Sequence, residues 1–187
     1  MTLVIEPLEL HGVVLCRPKK FADPRGYFME TYNQRAYAEA GIACDFVQDN
    51  QSHSARRGTV RGLHFQTPPE PQSKLVRVLR GSIFDVAVDL RRGSPTYGRF
   101  CSATLTAAKG EQLFIPVGFA HGFLTLEPDT EVAYKTDGFY APSCDAGLFW
   151  NDPDLGIAWP VDQADVTVSE KDAKLPGFRT FASPFAC

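Results

Sequence analysis

The sequence predicts an all-β fold, a sandwich or barrel of short strands with short peripheral helices. Two features carry that expectation. Apolar and polar residues alternate with period two along most of the chain, and turn residues break the alternation every few positions. Helical periodicity is scarce, which disfavours an alternating β-α architecture.

Taken in order, LVIEPLELHGVVLC reads as strand, and FADPRGYF carries a DPRG turn. NQRAYAEAG is the best helical segment, with Asn33 placed to cap its start and Gly41 to end it. QDNQSHSARRG, which precedes RGLHFQ, is polar and turn-prone. KLVRVLR and SIFDVAVDLR make a hairpin around Arg80 and Gly81. GRFCSATLTA, QLFIP, HGFLTLE and TEVAYKTDGFY continue the strands, punctuated by RRGSPTYG, AAKGE and EPDT. A second short helix is expected from Ser169 in SEKDAKLPG, and the irregular tail, residues 176–187, is expected to wrap over the body.

At 187 residues, a single domain spanning 1–187 is the simplest organisation. The Pro-rich TPPEPQ is too short to divide it and suits a rigid loop at the rim of a site. A formal charge of -3 gives no polyanion-binding surface, and the pairs Arg56-Arg57 and Arg91-Arg92 read as solvated turn ends, so no nucleic-acid partner is expected. MTLVIEPLELHG lacks the apolar core of a signal peptide, and no run approaches the ~20 apolar residues of a membrane span. With an odd number of cysteines and no CxxC pair, free and mostly buried thiols in a reducing cytoplasm are expected.

The polar residues leave several readings open. His64, between Leu63 and Phe65, and His121, just past a proline turn in VGFAHGF, each suit either a buried structural role or chemistry. On FDVAVDL, Phe84, Val86, Val88 and Leu90 share one side; Asp85, Ala87 and Asp89 share the other, which solvation alone explains. No HxH, HxxH or HExxH pair supports a metal site. There is no phosphate-binding glycine loop, although Arg25, Arg61 and Lys74 can meet a diphosphate as separate side chains. Asp172 stands where Ser169-Glu170-Lys171-Asp172 forms the spacing of a capping box, and a structural role is the simpler account of it. Tyr134 and Tyr140 look like ordinary strand aromatics.

Taken together, FADPRGYFMETYN, FVQDNQS, RGLHFQ, SKLVRVLRG, FDVAVDLRRGSPTYG, IPVGFAHGF, YKTDGFYAP, LFWNDPDLGIAWP and VSEKDAKLP resemble the dTDP-4-dehydrorhamnose 3,5-epimerase family. These are deoxysugar epimerases with a cupin-type jelly roll, and the likeness covers nearly the whole chain. It implies a jelly-roll β-barrel or sandwich, a homodimer, and a reaction without metal or organic cofactor. The implied substrate is a dTDP-4-keto-6-deoxysugar, dTDP-4-dehydro-6-deoxy-D-glucose, inverted at C3 and C5 to dTDP-4-dehydro-L-rhamnose. By the same resemblance His64 is the general base, Asp172 its partner and Tyr134 the opposing acid. Asp85 and His121 match a second pair beside the site, and Arg61 and Lys74 approach the keto sugar. Phe21, Arg25, Phe28, Glu30, Gln48, Asn50 and Tyr140 match nucleotide-sugar contacts, some supplied by the neighbouring subunit.

These roles suit the chemistry. A proton beside a ketone is too weakly acidic for an unaided imidazole, unless donors such as Lys74 or Arg61 meet the charge growing on O4. The departures from the family pattern are mild: Tyr97 stands where phenylalanine is frequent, and Phe139 where tyrosine is frequent. Related branches epimerise only C3 or only C5, and pocket shape separates them. A silent sugar-nucleotide binder is the other alternative, against which the retention of His64, Tyr134 and Asp172 argues.

Overall fold

The computed structural model describes residues 3–187; Met1 and Thr2, the start of the N-terminal stretch, lie outside the described residues. The chain opens with β1 (Leu3–Pro7), β2 (Val14–Pro18), β3 (Lys20–Asp23) and β4 (Gly26–Met29), followed by α1 (Gln34–Glu39). Then come β5 (Gln48–Ser54), β6 (Val60–Gln66), β7 (Lys74–Arg80) and β8 (Ser82–Asp89). The series ends with β9 (Phe100–Thr106), β10 (Gln112–Ile115), β11 (Phe119–Thr125), β12 (Thr130–Thr136) and β13 (Asp145–Gly147).

In space, β1-β2-β10-β7-β12-β5 form a six-stranded sheet and β13-β6-β11-β8-β9 a five-stranded one, while β3 and β4 stand apart as a hairpin. These strands pair antiparallel, as the tight turns require. The two large sheets share one core. Val76 and Val78 of β7, Leu113 and Val132 are buried together with Ile83 and Ala87 of β8, Leu105, Phe119 and Phe123. The expected sandwich is present, but no sheet closes into a barrel among the described residues. Closure needs edge strands to pair with each other, and β1, β5, β9 and β13 remain edges.

β8 corrects the expectation of a solvated carboxylate face. Asp85 and Asp89 are both 0% exposed, because their side of the strand looks into the gap between the sheets. The opposite side is also covered: Val86, Val88 and Leu90 are buried with Leu155, Ile157 and Phe185, and Phe178 and Phe181 pack against them. The C-terminal tail thus wraps over the five-stranded sheet as expected. A carboxylate buried this way requires partners. Asp89 has them: Arg91 donates from its backbone and guanidinium, and the hydroxyls of Ser94 and Thr96 each lie 2.6 Å away. Burial pushes Asp89 up, but these bonds outweigh it and hold the carboxyl at about 2.

Other expectations divide similarly. The N-terminal run is two strands rather than one, turning at Gly12 with φ +98°. Asn33 caps α1, its side chain accepting from the Ala36 N–H at 3.2 Å. The polar QDNQSHS, expected as turn, is strand β5; Gln48, Asn50 and Ser52 are half-buried and Ser54 buried, whereas Asp49, Gln51 and His53 are exposed. All five cysteines are free, with Cys16, Cys101 and Cys144 buried. Among the described residues no helix is long and apolar enough to cross a membrane.

Candidate active site

Strand alternation aims His64. Its neighbours Leu63 and Phe65 pack outward into the cluster under the C-terminal tail, so the imidazole between them points into the gap between the sheets. On β11, His121 lies directly across from His64, and on its other side His121 faces Ala87 of β8.

The two strands approach closely at a pair of glycines. Gly62 has φ +129°, and a Cβ there would fall 2.5 Å from the Gly122 Cα. A residue with a side chain would force β6 and β11 apart. The register shifts between His121 and Phe123 at this point, and the Gly62 N–H donates instead to Asp172 Oδ2 at 3.2 Å.

Asp172, 4% exposed, places its other oxygen 2.8 Å from His64 Nε2. Burial pushes its pKa up, but the bonds to His64, Gly62 and Ser169 prevail and hold it below the ordinary aspartate value. An ionised carboxylate can only accept, so His64 Nε2 carries the proton and the lone pair sits on Nδ1. The capping role expected of Asp172 is therefore half right. Ser169 Oγ accepts the Asp172 N–H at 3.0 Å, yet Asp172 opens a 3-10 turn, Asp172–Lys174, and its own side chain serves His64.

A second pair lies beside the first. His121 Nε2 is 2.6 Å from Asp85 Oδ1, and both residues are buried. Burial pushes His121 below the usual histidine value, against the pull of Asp85. Among the described residues Asp85 Oδ2 has no hydrogen-bond partner. Lys74, reaching in from β7, donates to the His64 carbonyl at 3.2 Å. Burial brings its ammonium down to about 8, although Asp85 and Asp145 favour the charge.

Tyr134 comes from the other sheet, set on β12 between Asn50 of β5 and Val76 of β7. Burial raises its pKa above that of a free phenol, so it is protonated at neutral pH. His64, His121, Asp172, Lys74, Arg61 and Tyr134 line one cavity of about 540 Å³. A neighbouring cavity of about 210 Å³ shares His64, Lys74 and Tyr134 and adds Gln48, Asn50 and Tyr140. The arrangement sets a proton acceptor, a proton donor and a cation around one space.

A sequence model described as dTDP-4-dehydrorhamnose 3,5-epimerase matches residues 7–180. A relative of that name from Sinorhizobium fredii is 49% identical over 174 residues, covering 93% of this chain and 89% of its own. The chain belongs to the dTDP-4-dehydrorhamnose 3,5-epimerase family. Solved structures agree. The Bacillus anthracis dTDP-4-dehydrorhamnose 3,5-epimerase, crystallised with TDP and PPi, superposes with a TM-score of 0.91 at 44% identity, over 94% of this chain and 99% of that one. The Legionella pneumophila dTDP-6-deoxy-D-glucose-3,5-epimerase, in complex with dTDP-4-keto-L-rhamnose, gives 0.92 at 39% identity, over 97% and 95%.

Within this epimerase-family chain, four expected contacts lie away from both cavities. Phe21, Arg25 and Phe28 sit on the β3–β4 hairpin, where Phe28 is 70% exposed and Arg25 pairs with Asp23 at 2.6 Å. Glu30 accepts from Asn33 Nδ2 at 3.0 Å. Gln48, by contrast, donates to Asn50 Oδ1 and accepts the Tyr140 N–H, each at 2.9 Å, which ties the small cavity together. Sequence reasoning missed Asp145 and Lys171. Lys171 lines both cavities and pairs with Asp145, whose Oδ2 also accepts from the Tyr140 hydroxyl at 3.2 Å. Nothing in their spacing along the chain announces the pair.

Proposed function

We propose that this chain inverts C3 and C5 of dTDP-4-dehydro-6-deoxy-D-glucose, giving dTDP-4-dehydro-L-rhamnose. One observation carries the mechanism: His64 and Tyr134 line the same cavity from opposite sheets. His64 takes a proton from the carbon beside the C4 ketone, and the Asp172 carboxylate stabilises the imidazolium that forms. Negative charge grows on O4, where Lys74 and Arg61 supply donors. Tyr134 returns a proton to the opposite face of the enolate, and the configuration inverts. The ketone is already present, so neither hydride transfer nor a redox cofactor is required by the chemistry.

The small cavity suits the nucleotide end, with Tyr140 exposed at its mouth for stacking and Gln48 and Asn50 for polar contact. Lys171, at the boundary of the two cavities, offers a cation to the diphosphate between sugar and base. The hairpin residues Phe21, Arg25 and Phe28, with Glu30, complete the site of a second subunit in a homodimer. Phe21, Arg25 and Phe28 are exposed, and none of the four lines either cavity of its own chain, which supports that role. The two open sheets are a jelly roll, and residues 1–187 act as one domain.

The test is incubation with the keto sugar in deuterated water, followed by proton NMR. Deuterium at both C3 and C5 of an inverted product is expected. Label at one carbon alone would restrict the chain to a single position, and no label would sink the epimerase mechanism.

A further inference from the structure

Asp172 belongs to a stretch without regular strand, so something other than a sheet ladder must hold it. The stretch is pinned upstream where Thr167 bridges Thr59. The Thr167 N–H donates to the Gly58 carbonyl, and its own carbonyl accepts from the Val60 N–H, both at 2.9 Å. From that anchor Thr167, Val168 and Ser169 run along the wall of the large cavity.

Ser169 then grips the turn at two points, Asp172 and Ala173. Its Oγ accepts the Asp172 N–H at 3.0 Å, and its carbonyl accepts the Ala173 N–H at 2.9 Å. The 3-10 turn that begins at Asp172 has no side-chain cap of its own from Lys171. Asp172 is thus held from two directions: Ser169 fixes its backbone, and the Gly62 N–H fixes Oδ2. Both constraints leave Oδ1 aimed at His64. A carboxylate that orients an imidazole works only as well as it is itself oriented.

We infer that Ser169 is a positioning residue for the epimerisation, acting through Asp172 on His64. The inference rests on the catalytic roles given above and adds a residue whose hydroxyl is bonded to Asp172 and not to His64. A hydroxyl that merely finished a turn would contribute to stability and leave the rate alone.

A double-mutant cycle separates the two roles. The cycle compares the parent with Ser169→Ala, Asp172→Asn and the double variant, each in single-turnover and steady-state assays on the keto sugar. Ser169→Ala is expected to lower kcat roughly tenfold, the lower end of what losing an orienting partner costs, with KM close to the parent. Ser169→Thr, which keeps the hydroxyl, should restore most of kcat. In the Asp172→Asn background the alanine should add nothing, because the charge that Ser169 aims is already gone. Additive losses, parental kcat in Ser169→Ala, or no recovery with threonine would each overturn the inference. Should the alanine variant fail to fold, Ser169→Cys carries the same comparison, since its thiol is a poor acceptor. A parent without turnover would remove the epimerase mechanism and this inference with it. An active parent with an additive cycle would remove only the role of Ser169.

Discussion

His64 and Tyr134 reach one cavity from different sheets, His64 on β6 and Tyr134 on β12. Acid and base so separated should fail in different ways. His64→Asn is expected to abolish both inversion and exchange of the C3 and C5 protons with solvent, since the first proton is never removed. Tyr134→Phe keeps the ring and loses the donor. The enolate still forms and can be reprotonated from its original side, so exchange should partly survive while inversion falls. NMR in deuterated water reads both at once. Equal losses of exchange and inversion in the tyrosine variant would contradict the division of labour.

Asp172→Asn should give a folded protein with affinity near the parent and turnover lower by roughly 10²-fold, the scale of a positioned acid–base effect. Asparagine keeps the size and a hydrogen bond to His64, but it cannot stabilise the imidazolium. Thermal unfolding beside single-turnover kinetics checks it. Near-parental turnover would leave Asp172 as a structural residue and reopen the question of what orients His64.

The strands were legible where packing is apolar. KLVRVLR and SIFDVAVDL alternate because one side of each meets an apolar cluster, and both are strands in the structure. β5 escaped because its inward positions, Gln48, Asn50 and Ser52, are polar, and all three line cavities instead of core. Facing cavities in place of an apolar core removed the alternation that would have revealed the strand. The burial of Asp85 and Asp89 was hidden for a different reason. It depends on the six-stranded sheet packing over that side of β8, a contact that the sequence of β8 itself does not encode. The open edges that replace a closed barrel depend on which strands pair, and period-two alternation contains no information on pairing. His64, Asp172 and Tyr134 came from family resemblance; residue types and spacing alone left His64 open and favoured structural roles for Asp172 and Tyr134.

Lys74 gives the pH dependence. Burial places its ammonium at about 8, so it is charged below that pH and neutral above it. If its charge meets O4, kcat/KM should fall as pH rises through about 8. Asp85 favours the charged form, so Asp85→Asn should move this basic limb to lower pH. Lys74→Met should remove the limb and lower kcat by roughly 10²–10³-fold, the scale of losing one preorganised donor to a developing oxyanion. A profile that stays flat through pH 9 in the parent would exclude Lys74 as the charge on O4.

The β3–β4 hairpin supplies a test of the shared site. Arg25 is exposed, 2.6 Å from Asp23, and lines neither cavity of its own chain. If it serves the neighbouring subunit, Arg25→Ala and His64→Asn should be defective as separate homodimers for unrelated reasons. Mixing them after mild dissociation forms heterodimers. In one of the two sites of each heterodimer, an intact His64 then meets an intact Arg25 from the other subunit. Activity should therefore rise above the sum of the separate variants, towards half the parental value per heterodimer. If Arg25 instead acted within its own chain, every site would keep one defect and mixing would recover nothing. Sedimentation on the same samples shows whether exchange took place. Exchanged dimers with no recovered activity would refute the shared site.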